Sequence, residues 1–183
     1  MKNNSLIIIP TYNEAENIEL IINKIISIDN SNDVLVVDDN SPDGTSEIVN
    51  NLNNIHDSRV FLIKRDKKSG LGSAYRTGFK WALDNKYSYI FQMDADMSHD
   101  PNEIKNLKIQ LTQNKYDFVI GSRYIEGVSV VNWPLSRIFL SYFANLYVRS
   151  ITCMPVKDAT SGFVGYTKNC LLYTSDAADD VHR

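Results

Sequence analysis

Short runs of β-branched and aromatic residues recur along the first 120 residues, separated by segments with helical periodicity, and this alternation narrows the fold more than anything else in the chain. The runs cover residues 6–9, 34–37, 60–63, 89–93 and 118–120. Strands joined through helices cannot pair as hairpins. They line up in parallel, and a parallel sheet needs helices over both faces. The expected architecture is α/β, a mostly parallel sheet flanked by helices. With 183 residues, 43% of them hydrophobic and 22% charged, the chain is long enough for a single domain with a sizeable core.

The first intervening segment has the clearest period. Ile18, Ile21, Ile22, Ile25 and Ile26 recur on one helical face, with Asn13 as the expected N-cap and Glu16 three residues later. Asp100-Pro101-Asn102-Glu103 is a second start signal: Asp at the cap, Pro at the first helical position and Glu in the first turn, ahead of Ile104, Leu107 and Leu111. Shorter helices are expected over 45–52 and 73–85. No internal repeat interrupts this order.

In an open parallel sheet, ligands bind in the crevice outside the carboxyl ends of the strands. The five runs end in Pro10-Thr11-Tyr12-Asn13-Glu14, Asp38-Asp39-Asn40-Ser41, Lys64-Arg65-Asp66, Asp94-Ala95-Asp96 and Gly121-Ser122-Arg123, segments expected to converge on one site. Asp94 and Asp96, two apart at a strand end, can turn both carboxylates to the same side. Mg²⁺ and Mn²⁺ take one or two carboxylates and complete their shells with water and phosphate oxygens, so the pair suits a cation site that assembles around a diphosphate. Taken alone, it also reads as a solvated acidic turn, the commoner use of such residues. Asp38-Asp39 emerges from an all-apolar run. An acid there can accept hydrogen bonds from ribose hydroxyls or base N–H groups, or form an Asx-turn into Ser41-Pro42-Asp43-Gly44, and the two residues can divide these roles.

Several chemistries drop out. A formal net charge of −3 lacks the cationic surplus that nucleic-acid binding needs. Gly70-Leu71-Gly72 has Tyr75 where a dinucleotide fingerprint wants its third glycine, and Thr77-Gly78 where a phosphate-binding P-loop wants Gly-Lys. His56, His99 and His182 have no metal-ligand spacing; His56 and His182 read as surface, and His99 is near enough to the acidic triplet to support it from behind. Cys153 and Cys170 form neither a CxxC pair nor a framework, which points to a reducing compartment without structural zinc. The N-terminus leads straight into a strand-like run, and no stretch approaches the roughly 18 apolar residues of a spanning helix. The chain is expected to be cytoplasmic or peripheral.

The ordered set Pro10-Thr11-Tyr12-Asn13-Glu14, Asp38 to Thr45, Gly70-Leu71-Gly72, Asp94-Ala95-Asp96-Met97-Ser98-His99 and Gly121-Ser122-Arg123-Tyr124 resembles the family 2 glycosyltransferases of GT-A (Rossmann-like) fold, most closely the dolichol-phosphate (polyprenol-phosphate) mannose synthases. The resemblance runs from about residue 6 to about 166. It implies that Pro10, Tyr12, Glu14, Val37 and Asp39 contact the nucleotide of the donor. It places Asp94, Ala95 and Asp96 at the diphosphate, Asp94 and Asp96 as ligands of Mg²⁺ or Mn²⁺, and Arg123 on the diphosphate, with Asp96 and Arg123 as the catalytic pair. Some members have Gln as a further metal ligand where Ser98 stands here.

The implied reaction is inverting transfer of mannose from GDP-mannose to a polyprenyl phosphate, in glycolipid biosynthesis. Glucosyl transfer from UDP-glucose to a lipid phosphate, and a nucleotide-binding fragment without turnover, stand beside it. A phosphate monoester, with a second pKa of roughly 6, is already largely ionised near neutral pH, so no catalytic base is assigned. Over 133–151, Leu135, Ile138, Phe139, Tyr142, Phe143, Leu146 and Tyr147 form an apolar helical stripe, against a polar one of Arg137, Ser141, Asn145 and Arg149. Such a helix either packs on a core or lies on a membrane. The resemblance favours the membrane, at its inner face. Asp158 to Phe163 looks like the family's segment bordering the acceptor. Beyond about Asn169 the resemblance ends: a glycosyltransferase domain over 1–169, incomplete at its C-terminus, is expected to be followed by a non-native or disordered tail over 170–183, without the later Arg and Lys that relatives bring to the donor phosphates.

Overall fold

The computed structural model describes residues 4–113, 116–122, 135–153, 156 and 158–173. Six strands form one sheet in the order β3-β2-β1-β4-β6-β5. They are β1 (Ser5–Thr11), β2 (Asn32–Asp38), β3 (Val60–Lys64), β4 (Tyr89–Gln92), β5 (Phe118–Ile120) and β6 (Val164–Thr167). The helices are α1 (Ile18–Ile28), α2 (Thr45–Ile55), α3 (Leu71–Asp84), α4 (Glu103–Gln113) and α5 (Leu135–Thr152). The five expected strands are present, and β1 pairs in parallel with both β2 and β4, as β2 does with β3. The sheet is mostly parallel and flanked by helices, as the alternation requires.

Alternation within each strand divides the core. Ile7, Ile9, Val34, Val36 and Phe91 pack on one face with the Ile18–Ile26 stripe of α1 and with α2 and α4, while Leu6, Ile8, Leu35, Val37 and Ile90 face α3. α3 approaches β1 so closely that a Cβ on Gly78 would lie 2.6 Å from Ile8 Cγ2, which reserves that helix position for glycine.

Two expectations change. Asn13 does not cap α1: it adopts φ +63°, and the helix begins four residues later behind Asn17, because the loop after β1 is first pulled against the loop after β2. β6 has no counterpart among the expected strands and runs antiparallel between β4 and β5. Gly165 allows it to nest against Phe91, since a Cβ there would lie 2.7 Å from Phe91 Cε1. β6 displaces β5 by one strand, to the edge of the sheet. Asp100 does open the turn into α4, its carboxylate accepting the Asn102 N–H at 3.0 Å. Residues 168–173 form a helical turn whose Leu171 is buried against the α3 side of the core.

Candidate active site

Three strand ends meet around a cleft of about 330 Å³ lined by Pro10, Thr11, Tyr12 and Glu14 after β1, Asp39 after β2, and Asp94, Ala95 and Asp96 after β4. Lys68, Gly70, Leu71 and Ala74, from the β3–α3 connection and the first turns of α3, complete the wall. Of the nine expected site residues, seven therefore share one cavity. Val37 is fully buried in the α3-side core and its side chain does not line the cleft. Arg123 lies outside the described residues. Gly121 and Ser122 are not among the lining residues, because β6 stands between the end of β5 and the end of β4.

The two aspartates after β2 do different work. Asp38 is fully buried and accepts from Thr11 Oγ1 at 2.8 Å, Ser41 N at 3.0 Å, Ser41 Oγ at 2.5 Å and Ser46 Oγ at 2.8 Å. Burial alone would raise its carboxyl, but these donors outweigh burial and hold it below the ordinary carboxylate range. Asp38 is the turn-builder. The loops it organises are then laced together: the N–H groups of Asn13, Glu14 and Ala15 donate to Ser41 Oγ, Thr45 Oγ1 and Asp43 Oδ2 at 2.9, 3.1 and 3.0 Å. The Asp38–Thr45 stretch thus mainly fixes the Tyr12–Glu14 loop from below.

Asp39 faces the cleft. Its Oδ1 is paired with Arg65, and its Oδ2 accepts the Ser69 N–H at 3.2 Å. The same guanidinium donates to Ser73 Oγ at 2.8 Å and to the Gly70 carbonyl at 3.4 Å, which ties the β3–α3 connection to the end of β2. Gly70 has φ +90°, a conformation other residues adopt at a cost, and it turns the chain into α3. Lys68 places its ammonium 3.9 Å above the ring of Tyr12.

Asp94 and Asp96 differ in the same way. Asp94 is half-buried and its Oδ1 accepts the Tyr75 hydroxyl at 3.1 Å. Burial and the Asp94 carboxylate push the Tyr75 phenol far above its ordinary pKa, so it remains a neutral donor. Asp96 is exposed, and its Oδ1 accepts the Ser98 N–H at 3.0 Å across Met97, whose φ of +58° closes the turn. His99 is buried with its ring 5.2 Å from Phe163.

The segment before β6 closes the triplet from the far side. Ser161 Oγ donates to the Gly121 carbonyl at 2.7 Å, and the Asn145 side chain of α5 accepts the Ala159 N–H at 2.9 Å. Gly162 sits against Asp94, where a Cβ would lie 2.7 Å from Oδ2. Arg65 lies in one of the strand-end segments expected to converge here and Gly162 in the Asp158 to Phe163 segment of the resemblance, whereas no motif places Tyr75, whose one signal is that it stands where a dinucleotide fingerprint requires glycine.

Among the described residues no three His, Cys, Asp or Glu side chains cluster as a metal cage. A pair of carboxylates at the mouth of a cleft does fit a hard divalent cation that draws its remaining ligands from water and a phosphorylated substrate. Among the described residues, no helix is long and apolar enough to cross a membrane.

A mostly parallel sheet whose central strand ends in two cleft-lining aspartates has the architecture of the GT-A glycosyltransferases. Residues 6–171 match glycosyl transferase family 2, and the chain belongs to that family. It is 42% identical over 167 residues to a polyprenol monophosphomannose synthase of Mycolicibacterium smegmatis, covering 91% of this chain and 63% of that protein. It is 40% identical over 166 residues to an undecaprenyl-phosphate mannosyltransferase of Micrococcus luteus, covering 91% of this chain and 67% of that protein. The chain thus spans about two thirds of the length of these relatives. A mannosyltransferase of Pyrobaculum calidifontis, solved with GDP-Man and Mn²⁺, shares the fold at a TM-score of 0.66 and 20% identity, over 95% of this chain and 47% of that one.

Proposed function

We propose that this chain is the donor-binding domain of an inverting mannosyltransferase that moves mannose from GDP-mannose to a polyprenyl phosphate at a membrane surface. The observation that carries the reading is the placement of Asp94 and Asp96 in one cleft with Tyr12, Glu14 and Asp39, in a chain 40% and 42% identical to relatives named for mannosyl transfer to polyprenyl carriers.

In this reading Pro10, Tyr12, Glu14 and Asp39 receive the nucleoside, with Val37 supporting them from the core. Asp94, Ala95 and Asp96 border the diphosphate, and Arg123 holds it with a planar cationic fork. Asp94 and Asp96 would hold Mg²⁺ or Mn²⁺, which when bound neutralises charge on the diphosphate. An acceptor phosphate oxygen forms its bond to the anomeric carbon as the bond from that carbon to the diphosphate breaks, and GDP departs with the electron pair. The acceptor is ionised near neutral pH, so rate comes from alignment and from stabilising the leaving group. Asp96, exposed at the mouth, and Arg123 are the residues assigned to that stabilisation.

α5 supports the membrane seat. Phe139, Leu140, Tyr142, Phe143, Tyr147 and Ile151 are each more than half exposed, whereas Asn145, on the polar stripe, is buried against the fold. The described members of the apolar stripe, Phe139, Tyr142, Phe143, Leu146 and Tyr147, face away from the protein, as they do in a helix lying at a lipid interface. The inner leaflet, where cytosolic nucleotide sugar is available, is the proposed face.

The test is nucleotide release from GDP-mannose or UDP-glucose by the purified chain with Mn²⁺ and a short polyprenyl phosphate. Mannosyl lipid formed from GDP-mannose supports the proposal, and glucosyl lipid formed only from UDP-glucose replaces its donor. Saturable GDP binding with no turnover of either donor reduces the chain to a nucleotide-binding fragment.

A further inference from the structure

Asp94 is approached from two elements that are distant in sequence. Tyr75 comes from the second turn of α3, buried with only 7% of the residue exposed and its ring stacked on Phe79 at 6.1 Å, so its hydroxyl reaches Oδ1 from a fixed position. Gly162 comes from the segment before β6 and leaves Oδ2 only the room that a missing Cβ provides. Asp96 has no such enclosure: it is exposed and bonded to the N–H of a residue in its own turn. One carboxylate of the pair is therefore set before any ligand arrives, and the other is free to adapt.

We propose that Tyr75 is a positioning residue which, with Gly162 as its steric counterpart, holds the Asp94 carboxylate in the orientation that receives the cation and diphosphate of the donor. The proposal rests on the reading that Asp94 and Asp96 hold that cation. A site with only two protein carboxylates depends strongly on each being oriented, and partners that orient a metal ligand typically govern about 10- to 100-fold in metal affinity. The tyrosine that departs from a dinucleotide fingerprint thereby has a use: its hydroxyl reaches the first carboxylate of the triplet, which a glycine could not do.

The experiment titrates the full 183-residue chain with Mn²⁺ in the presence of GDP, following the paramagnetic resonance of free Mn²⁺, with thermal unfolding measured separately without metal. Asp94→Asn should remove the Mn²⁺·GDP site. Tyr75→Phe should weaken Mn²⁺ by roughly 10- to 100-fold while the apo-protein unfolds within about 3 °C of wild type. Gly162→Ala, whose added methyl would push the Asp94 carboxylate out of its set orientation, should weaken it comparably and keeps the test open if Tyr75→Phe unfolds. Because both act on one carboxylate, the double variant should lose less than the product of the two effects. Wild-type Mn²⁺ affinity in both single variants overturns the positioning role while leaving the cation site intact. Wild-type behaviour in Asp94→Asn overturns the cation reading itself, and the positioning role with it.

Discussion

At the carboxyl ends of β1 and β2, Thr11, Ser41 and Ser46 are bound to Asp38, and Thr45 to Asp43, at 2.5–2.8 Å, whereas α5 has only Asn145 buried among its described side chains. The strand ends spend most of their polar groups on one another and leave a few, Asp39, Asp94 and Asp96, to face the cleft. α5 does the reverse and shows aromatic and aliphatic groups to the outside. A nucleoside diphosphate is recognised by directional bonds, which need atoms held in place before binding. A lipid interface is recognised by area, and orientation matters little.

That contrast can be broken most sharply at the acidic pair. Asp94→Asn or Asp96→Asn should lower mannosyl transfer by roughly 10²- to 10³-fold with the circular dichroism spectrum unchanged, as expected for lost leaving-group stabilisation. A variant that keeps its activity would move the chemistry elsewhere. One step back from the cleft, Asp38→Ala should cost about 3 kcal/mol in denaturant unfolding, because it strands buried donors from Thr11, Ser41 and Ser46. An unchanged unfolding midpoint would mean that the strand ends are not preorganised by this network.

On α5, Phe143→Glu should weaken binding to anionic vesicles, read by sedimentation, by roughly 10- to 100-fold and leave GDP binding unaffected, since one exposed aromatic is worth about 1.5–3 kcal/mol when buried in lipid. Equal vesicle binding by wild type and variant would remove the helix from the membrane. The smallest effect is expected far from both regions, where Asp29 accepts from Ser31 N at 2.8 Å and Lys108 Nζ at 2.9 Å. Burial opposes the shift, but these partners outweigh it and bring the Asp29 carboxyl down to about 2. A carboxyl lowered on folding stabilises the fold above its unfolded value and loses that stabilisation as pH falls through the folded one. Asp29→Asn should therefore flatten the decline in stability between about pH 4 and about pH 2, with no change in nucleotide affinity.

Much of the cleft was legible because it is written in local patterns. Ile18 to Ile26 announce α1 by period, and the apolar runs at 6–9 and 34–37 announce fully buried strands. Once those strands are parallel, Tyr12, Glu14, Asp39, Asp94 and Asp96 fall at one end of the sheet. The failures share a cause. β6 is four residues containing a glycine, and it becomes a strand only because β4 and β5 offer edges on either side. Asn13 has the composition of a cap but is drawn across to Ser41, 28 positions away.

What the sequence by itself determined is the layered fold, the end of the sheet where the cleft opens and the position of the acidic pair, since hydrophobic period and chain order decide these without reference to distant partners. Only the tertiary structure decided which aspartate builds the turn and which faces the cleft, that β6 separates β5 from the site, that the stretch of α5 from Phe139 to Tyr147 turns its aromatic side chains outward, and that Tyr75 and Gly162 enclose Asp94. Each of these depends on which remote group satisfies a buried polar atom or fills a missing Cβ, and those partners, 27 positions apart for Thr11 and Asp38 and 19 for Tyr75 and Asp94, meet only when the sheet is assembled.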